Sequence, residues 1–400
     1  MDALLLEWLN LLLRWAHVVA AIMWVGDSFL FMWLDSSLSA PSRHREGAVA
    51  GEIWLMHSGG FYEVVKRRYL RPEDMPAQLF AFKWQAYSTW ISGFLLFAVV
   101  YWLGGKAYLL ERGIGLTHGS AVAISAGLLV VGWFVYDVLW SSPLRKHTLA
   151  ASFISVALIA ASAYGLSQLF GGRAAYLQMG AMLGTVMAGN VWRRIIPSQQ
   201  QMLAATKAGT EVDTSLGLRA KLRSTHNHYL TFPVLFLMLS SHFPSTYGHT
   251  LNWLVLLCIM TFGASLKYTM NFRGRSDWRR VAAGVIGLLA ALALTFKPAA
   301  RAEATTSMKE TIAFEQVHGI VQRRCVTCHS AHPTNPSFPE APNGVMFDDP
   351  MHLQALSGRI LVRAVQTKTM PLGNLTGMTD AERDTLGAWI AQGAHVDASR

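Results

Sequence analysis

Cys325-Val326-Thr327-Cys328-His329 forms a C-x-x-C-H sequence. In this pattern two thiols add across the vinyl groups of a haem and the histidine ligates its iron. A methionine thioether as the second ligand raises the potential of such an iron. Met370, followed by Pro371, stands downstream as that ligand. Met378 and Met346 are its competitors; His332 is too near His329 in sequence to reach the opposite haem face. A haem c carries one electron at a time, and in bacteria it is attached outside the cytoplasm.

A second group of residues suits a flat, anionic heterocycle. Thr225-His226-Asn227-His228-Tyr229, Trp192-Arg193-Arg194 and Lys83-Trp84-Gln85 bring together cations, an amide, imidazoles and aromatic faces. Arg193, Arg194 and Lys83 would hold charge, Asn227 would meet a ring edge, and the tryptophans would stack. Asp27 and Trp33 fall near the same level, and His57-Ser58-Gly59-Gly60-Phe61-Tyr62 adds glycines that permit close backbone approach. The blander reading makes the arginines and Lys83 topology anchors and the tryptophans an interfacial belt. His226 and His228 are two residues apart, so a helix aims them to different sides. A third feature is His17, which shares a helix face with Trp24 among small residues and suits either a b-type haem or a hydrogen bond inside a bundle. His118, His242 and His249 lie near span ends and offer it no partner at its depth. Asp137 and Lys267 sit inside apolar runs, where charge is expensive.

These residues need elements to position them, and composition says which. The chain has 400 residues, 52% of them hydrophobic and only 14% charged, the profile of a membrane protein with two or three domains. Eight apolar segments are near the length that crosses a bilayer: 9–34, 85–103, 119–140, 149–170, 174–196, 227–243, 251–270 and 281–296. The first is too long for a cleaved signal peptide and reads as a retained anchor. The sixth is short and contains Pro233, which predicts a kink or break. Alternate loops carry 19 and 3 basic residues, so the basic loops face the cytoplasm and both termini face outward. Net charge is +10, and because this asymmetry accounts for the basic excess, nucleic-acid binding has no support. Of three cysteines two belong to the haem motif; Cys258 lies in an apolar run as a small core residue.

The expected fold is all-α: an eight-helix transmembrane bundle over residues 1–297, a linker at 298–307, and a small cytochrome c domain over 308–400. That domain predicts a first helix at 312–321, a second at 351–367, and a last one opened by the capping box Thr379-Asp380-Ala381-Glu382. No P-loop, H-E-x-x-H or G-x-S-x-G motif occurs.

The order of eight spans and a fused cytochrome c, the loop at 57–62, and the segment Met370-Pro371-Leu372-Gly373-Asn374-Leu375-Thr376-Gly377-Met378-Thr379 resemble the bacterial membrane-bound urate oxidases, or urate hydroxylases. The resemblance implies oxidation of urate to 5-hydroxyisourate by the membrane part. Electrons would then pass through the c-type haem to a terminal cytochrome oxidase or a soluble cytochrome c. It implies purine catabolism at the bacterial inner membrane, and of its site residues only the haem motif is carried over. With urate as substrate, His226, His228 and His57 become candidate general bases and Arg193, Arg194 and Lys83 candidate anion holders. The two ends of such a molecule are about 30 Å apart, too far for one electron step. Either a second cofactor, a haem b on His17, stands between them, or urate binds deeper in the membrane. The rival readings are a membrane-anchored cytochrome c that only carries electrons between a quinol or partner enzyme and a terminal oxidase, and a transporter with a cytochrome sensor.

Overall fold

The computed structural model describes residues 3–111, 114–272, 277–296, 311–336, 338 and 340–396. Arg112, Arg273, Arg275 and the expected linker at 298–307 lie outside the described residues. The chain is mostly helical. Apolar runs rich in Ala, Leu and Val form α1 (Ala3–Ser37), α4 (His118–Ser141), α5 (Thr148–Leu169), α10 (Asn252–Asn271) and α11 (Trp278–Thr295). Among the described residues these five are long and apolar enough to cross a membrane. Lipid cannot satisfy backbone N–H and C=O groups, so such runs satisfy them internally as helices. Three further helices fall at expected spans but are more polar: α2 (Trp84–Phe97), α6 (Gly172–Asn190) and α8 (Thr214–Leu239). They bury Thr89, Ser92, Gln178, Asn190, Asn227 and Thr231, so their polarity faces the protein interior. α1 packs along α2, α6 lies against α4, α5 and α8, and α8 leads through α10 to α11. The α10–α11 contact is close because Gly284 lies against Ser265 and Gly287 against the Cys258 carbonyl.

The expected break in the sixth span does not occur. α8 runs from Thr214 through Pro233 to Leu239, so Arg219, Lys221 and Arg223 stand on a helix and not in a loop. Gly263 of α10 lies against the proline turn, where a Cβ would be 3.2 Å from Pro233 Cδ; the neighbouring helix covers the irregularity. α2 and α6 each end in a π-helical turn, Ala98–Trp102 and Val191–Ile195, and α6 continues into α7 (Ile196–Lys207).

The all-α expectation also needs correction. Val49–His57 (β1) and Gly60–Arg67 (β2) form an antiparallel hairpin, with Trp54 opposite Glu63 and His57 opposite Gly60. Ser58 and Gly59 have φ of 50° and 76°, the positive pair that a two-residue hairpin turn requires. The glycines at 59–60 therefore serve the turn. Glu52 ties the hairpin to the preceding chain: it accepts from Ser42 N and Oγ, each at 2.7 Å, and pairs with Arg45 at 2.9 Å.

The C-terminal unit has its own core of Val317, Val321, Leu353, Leu386 and Trp389. α12 (Phe314–Arg324) meets α15 (Asp380–Ala391), with the Phe314 and Trp389 rings 6.2 Å apart. Thr379 and Glu382 form the predicted capping box. The single helix expected at 351–367 is instead α13 (Pro350–Ala355), α14 (Ser357–Ile360) and a π-helical turn, Leu361–Gln366. Two short helices, α3 (Lys106–Leu109) and α9 (Pro244–Tyr247), lie beside this unit at the end of the bundle away from the hairpin.

Candidate redox and substrate site

The C-x-x-C-H segment continues directly from α12. Cys325 N–H donates to Val321 O at 2.8 Å, and His329 N–H donates to Cys325 O at 2.9 Å. His329 Nδ1–H donates to Val345 O at 3.0 Å, which leaves Nε2 as the lone-pair nitrogen a metal needs. Burial lowers the pKa of this imidazole and favours the neutral form. The Met370 loop is held from both sides. Its N–H donates to Arg363 O at 2.9 Å, and its carbonyl accepts from Arg383 at 2.7 Å. Met370 is half-buried, whereas Met378 is 3% exposed within the core. These residues fit a covalently held haem, with Cys325 and Cys328 to bond it, His329 to ligate iron, and Met370 free of the core to serve as the second ligand.

A cavity of about 2090 Å³ lies between α1, α2, α6 and α8. Near the hairpin it is lined by Asp35, Lys66, Lys83, Lys221, Asn227 and His228. Farther along it is lined by Asp27, Trp90 and His17, and at the other end by Arg14, Arg173, Tyr101 and His242. His17 is half-buried, and its Nδ1–H donates to Thr89 O at 3.0 Å, with Ser92 Oγ at 3.3 Å.

The structure divides the proposed heterocycle-binding residues. Lys83, Asn227 and His228 come together along the cavity wall. Asn227 is oriented by donating to Met187 O at 3.0 Å and accepting from Asn190 at 2.9 Å. His226 turns the other way, as the spacing predicts: it pairs with Tyr136 Oη at 2.7 Å and packs on Trp140, ring centroids 4.2 Å apart. Arg194 is committed to Asp137, its Nε donating at 2.8 Å, and Arg223 joins the same carboxylate at 2.9 Å. Arg193 is exposed and lies over Trp192. His57 is exposed beside the hairpin turn, where it pairs with Ser58 Oγ at 2.8 Å. None of His226, Arg193, Arg194 and His57 lines the cavity.

Sequence reasoning missed Asn190, Arg14, Arg173 and Tyr101. Asn190 and Arg173 are polar interruptions of an otherwise apolar stretch and carried a usable signal; Tyr101 resembles any interfacial tyrosine. Lys267 is fully buried, with Nζ 3.8 Å from the centre of the Phe29 ring and no hydrogen-bond partner among the described residues. The ring face supplies the attraction that a carboxylate would otherwise provide.

Comparison with known proteins adds one finding. No curated protein and no solved structure matches the chain. The family model described as "Urate oxidase N-terminal" matches residues 3–296, which include every helix that lines the cavity.

Proposed function

The chain belongs to the urate oxidase N-terminal family, and from that premise we propose that it oxidises urate and passes the electrons singly to a haem c carried by its own C-terminal unit. One observation carries this reading: the family match over residues 3–296 stands in the same chain as Cys325-Cys328-His329. Urate and water give 5-hydroxyisourate, two protons and two electrons. A haem c held by Cys325, Cys328 and His329 would accept one electron at a time, so a turnover would use it twice. A terminal cytochrome oxidase or a soluble cytochrome c takes each electron onward.

The cavity supports a division of roles. Lys83 and Lys221 at the hairpin end attract the urate monoanion, with Lys66 beside them paired to Asp35. Asn227, already bonded to Met187 O and Asn190, has one amide N–H left for a ring edge. His228 is the base that takes a proton from urate or from the attacking water. Of the three candidate bases His226, His228 and His57, His228 is the one that lines the cavity, which supports this role. The basic loops put the hairpin end in the cytoplasm and the C-terminal unit in the periplasm of a bacterial inner membrane. Both termini are then outside, and lipid surrounds the apolar helices.

The test uses the purified full-length chain under nitrogen, with the absorption band of ferrous haem c followed after urate is added. Two haems reduced per urate consumed is the expected result. Reduction by a quinol but not by urate would overturn the proposal in favour of a membrane-anchored electron carrier.

A further inference from the structure

We propose that the cavity holds a second, non-covalent haem, with His17 Nε2 as an iron ligand and Arg14 and Arg173 as partners of its propionates. The inference stands on geometry, whichever donor supplies the electrons. His17 uses Nδ1 for the Thr89 carbonyl at 3.0 Å, so its lone pair is on Nε2. Gly93 is what lets the ring fit against α2: a Cβ there would lie 2.6 Å from His17 Cε1. On α6 the cavity is lined by Gly180, Ala181 and Gly184. Gly180 makes room for Leu237 of α8, which would lie 3.1 Å from its Cβ, but a Cβ on Gly184 would meet nothing within 4 Å, so at that position the wall is recessed beyond what helix packing requires. The cavity as a whole, about 2090 Å³ from the hairpin to Arg173, is larger than a macrocycle.

The polar groups at the end away from the hairpin identify the ligand as anionic. Arg14 lies three residues from His17, on the same face of α1 and about 4.5 Å along its axis. Arg14 is exposed, and among the described residues its one hydrogen bond is to Asn10 Oδ1 at 3.0 Å. Among the described residues Arg173 Nε is buried without a partner, and so is the hydroxyl of Tyr101, a residue only 2% exposed. Buried donors left unpaired are costly, and carboxylates entering from the cavity would satisfy them. A haem would use this set, with His17 to ligate its iron and Arg14, Arg173 and the Tyr101 hydroxyl to meet its carboxylates. Such a group would also break the distance between the hairpin end and haem c into shorter steps.

The experiment extracts the full-length chain, made in cells supplied with 5-aminolaevulinate, with acidified acetone, and takes a pyridine haemochrome spectrum of each fraction. The expected result is one b-type haem per chain in the extract and one c-type haem in the residue. His17→Gly should lose at least nine-tenths of the extractable haem and keep the covalent one, which reports that the chain has folded and matured. Imidazole added to His17→Gly should restore the extractable haem. Arg173→Gln should keep it but lower its midpoint potential, because a cation near the propionates is lost. A wild-type extract without haem, or His17→Gly with wild-type content, would overturn the proposal; a quinone in the extract instead would identify a different occupant. If urate still reduces haem c in a preparation without extractable haem, the second haem falls and the urate reading stands.

Discussion

His226 and His228 stand two residues apart on α8, and the 100° step of a helix sends their rings to different neighbours. This much was visible in the sequence, but which of the two meets the cavity was not. The answer depends on Tyr136, 90 residues away, capturing His226. Arg194 was misread for the same reason: its partner Asp137 is 57 residues distant. The C-x-x-C-H was readable because its chemistry is contained in five consecutive residues. If His228 is the base, His228→Gln should lower the rate of urate-dependent haem reduction by about 10²–10⁴-fold while leaving the haem c spectrum unchanged; an unaltered rate would assign the role elsewhere. Glu52 gives a prediction in pH. Bonds from Ser42, followed by Arg45, hold its carboxyl at about 2. The depressed pKa stabilises the hairpin above the ordinary carboxylate pKa of about 4.3, and the contribution is lost as pH falls from there towards 2. The protection factors of the β1–β2 amides against hydrogen exchange should fall over that window, and Ser42→Ala, by raising the folded-state pKa, should make the fall smaller and end it at higher pH.

Among elements, the long apolar helices are direct readings of the sequence, since composition alone forces them. The hairpin was hidden because it lies in a loop dense with basic residues, and because His57-Ser58-Gly59-Gly60 reads equally well as an irregular ligand loop. The continuity of α8 was hidden by Pro233, whose cost is offset by a glycine on another helix. The Arg194–Asp137–Arg223 group ties the apolar α4 to α8 and to the turn after α6. Asp137 and Arg223 are 8% and 5% exposed at the side chain. Removing the shared carboxylate leaves a buried guanidinium unpaired, at a cost of about 3–5 kcal/mol. Asp137→Ala should therefore unfold well below wild type in a thermal or denaturant titration in detergent. Retention of wild-type stability would show that the group is dispensable.

At the scale of the whole molecule, the two parts are fused in the sequence, but their contact is not written there. Tyr108 of α3 meets Phe338, with ring centroids 6.2 Å apart. Gly248, following α9, lies so close to Thr367 and Thr369 that a Cβ would come within 2.6 and 2.8 Å of them. Gly373 has φ +55° and lies against the carbonyls of Leu110 and Ala107, where a Cβ would sit at 2.9 and 3.1 Å. The loop carrying Met370 thus rests on the bundle, beside the Phe338 contact. Gly373→Val should lift it, slowing reduction of haem c by urate by up to about 10²-fold, the effect a misplacement of 1 Å can have on a reacting pair. Its reduction by dithionite should be unchanged. An equal urate rate would mean that electrons enter from another side.

The cavity that begins among lysines at the hairpin and ends at Arg14 and Arg173 has an electrical consequence. If urate gives up electrons at one end and they leave at the other, charge crosses the insulating layer of an energised membrane. An electron moving outward travels towards the positive side, so each one gains about 2.3 kcal/mol per 100 mV for a full crossing. On the proposed reading, urate oxidation by this chain draws on the membrane voltage and partly discharges it, where a soluble oxidase would be indifferent to it. In liposomes containing urate and the oriented protein, an interior-negative potential should drive haem c further towards the ferrous form. A response independent of voltage would place urate oxidation and haem c on the same side of the barrier.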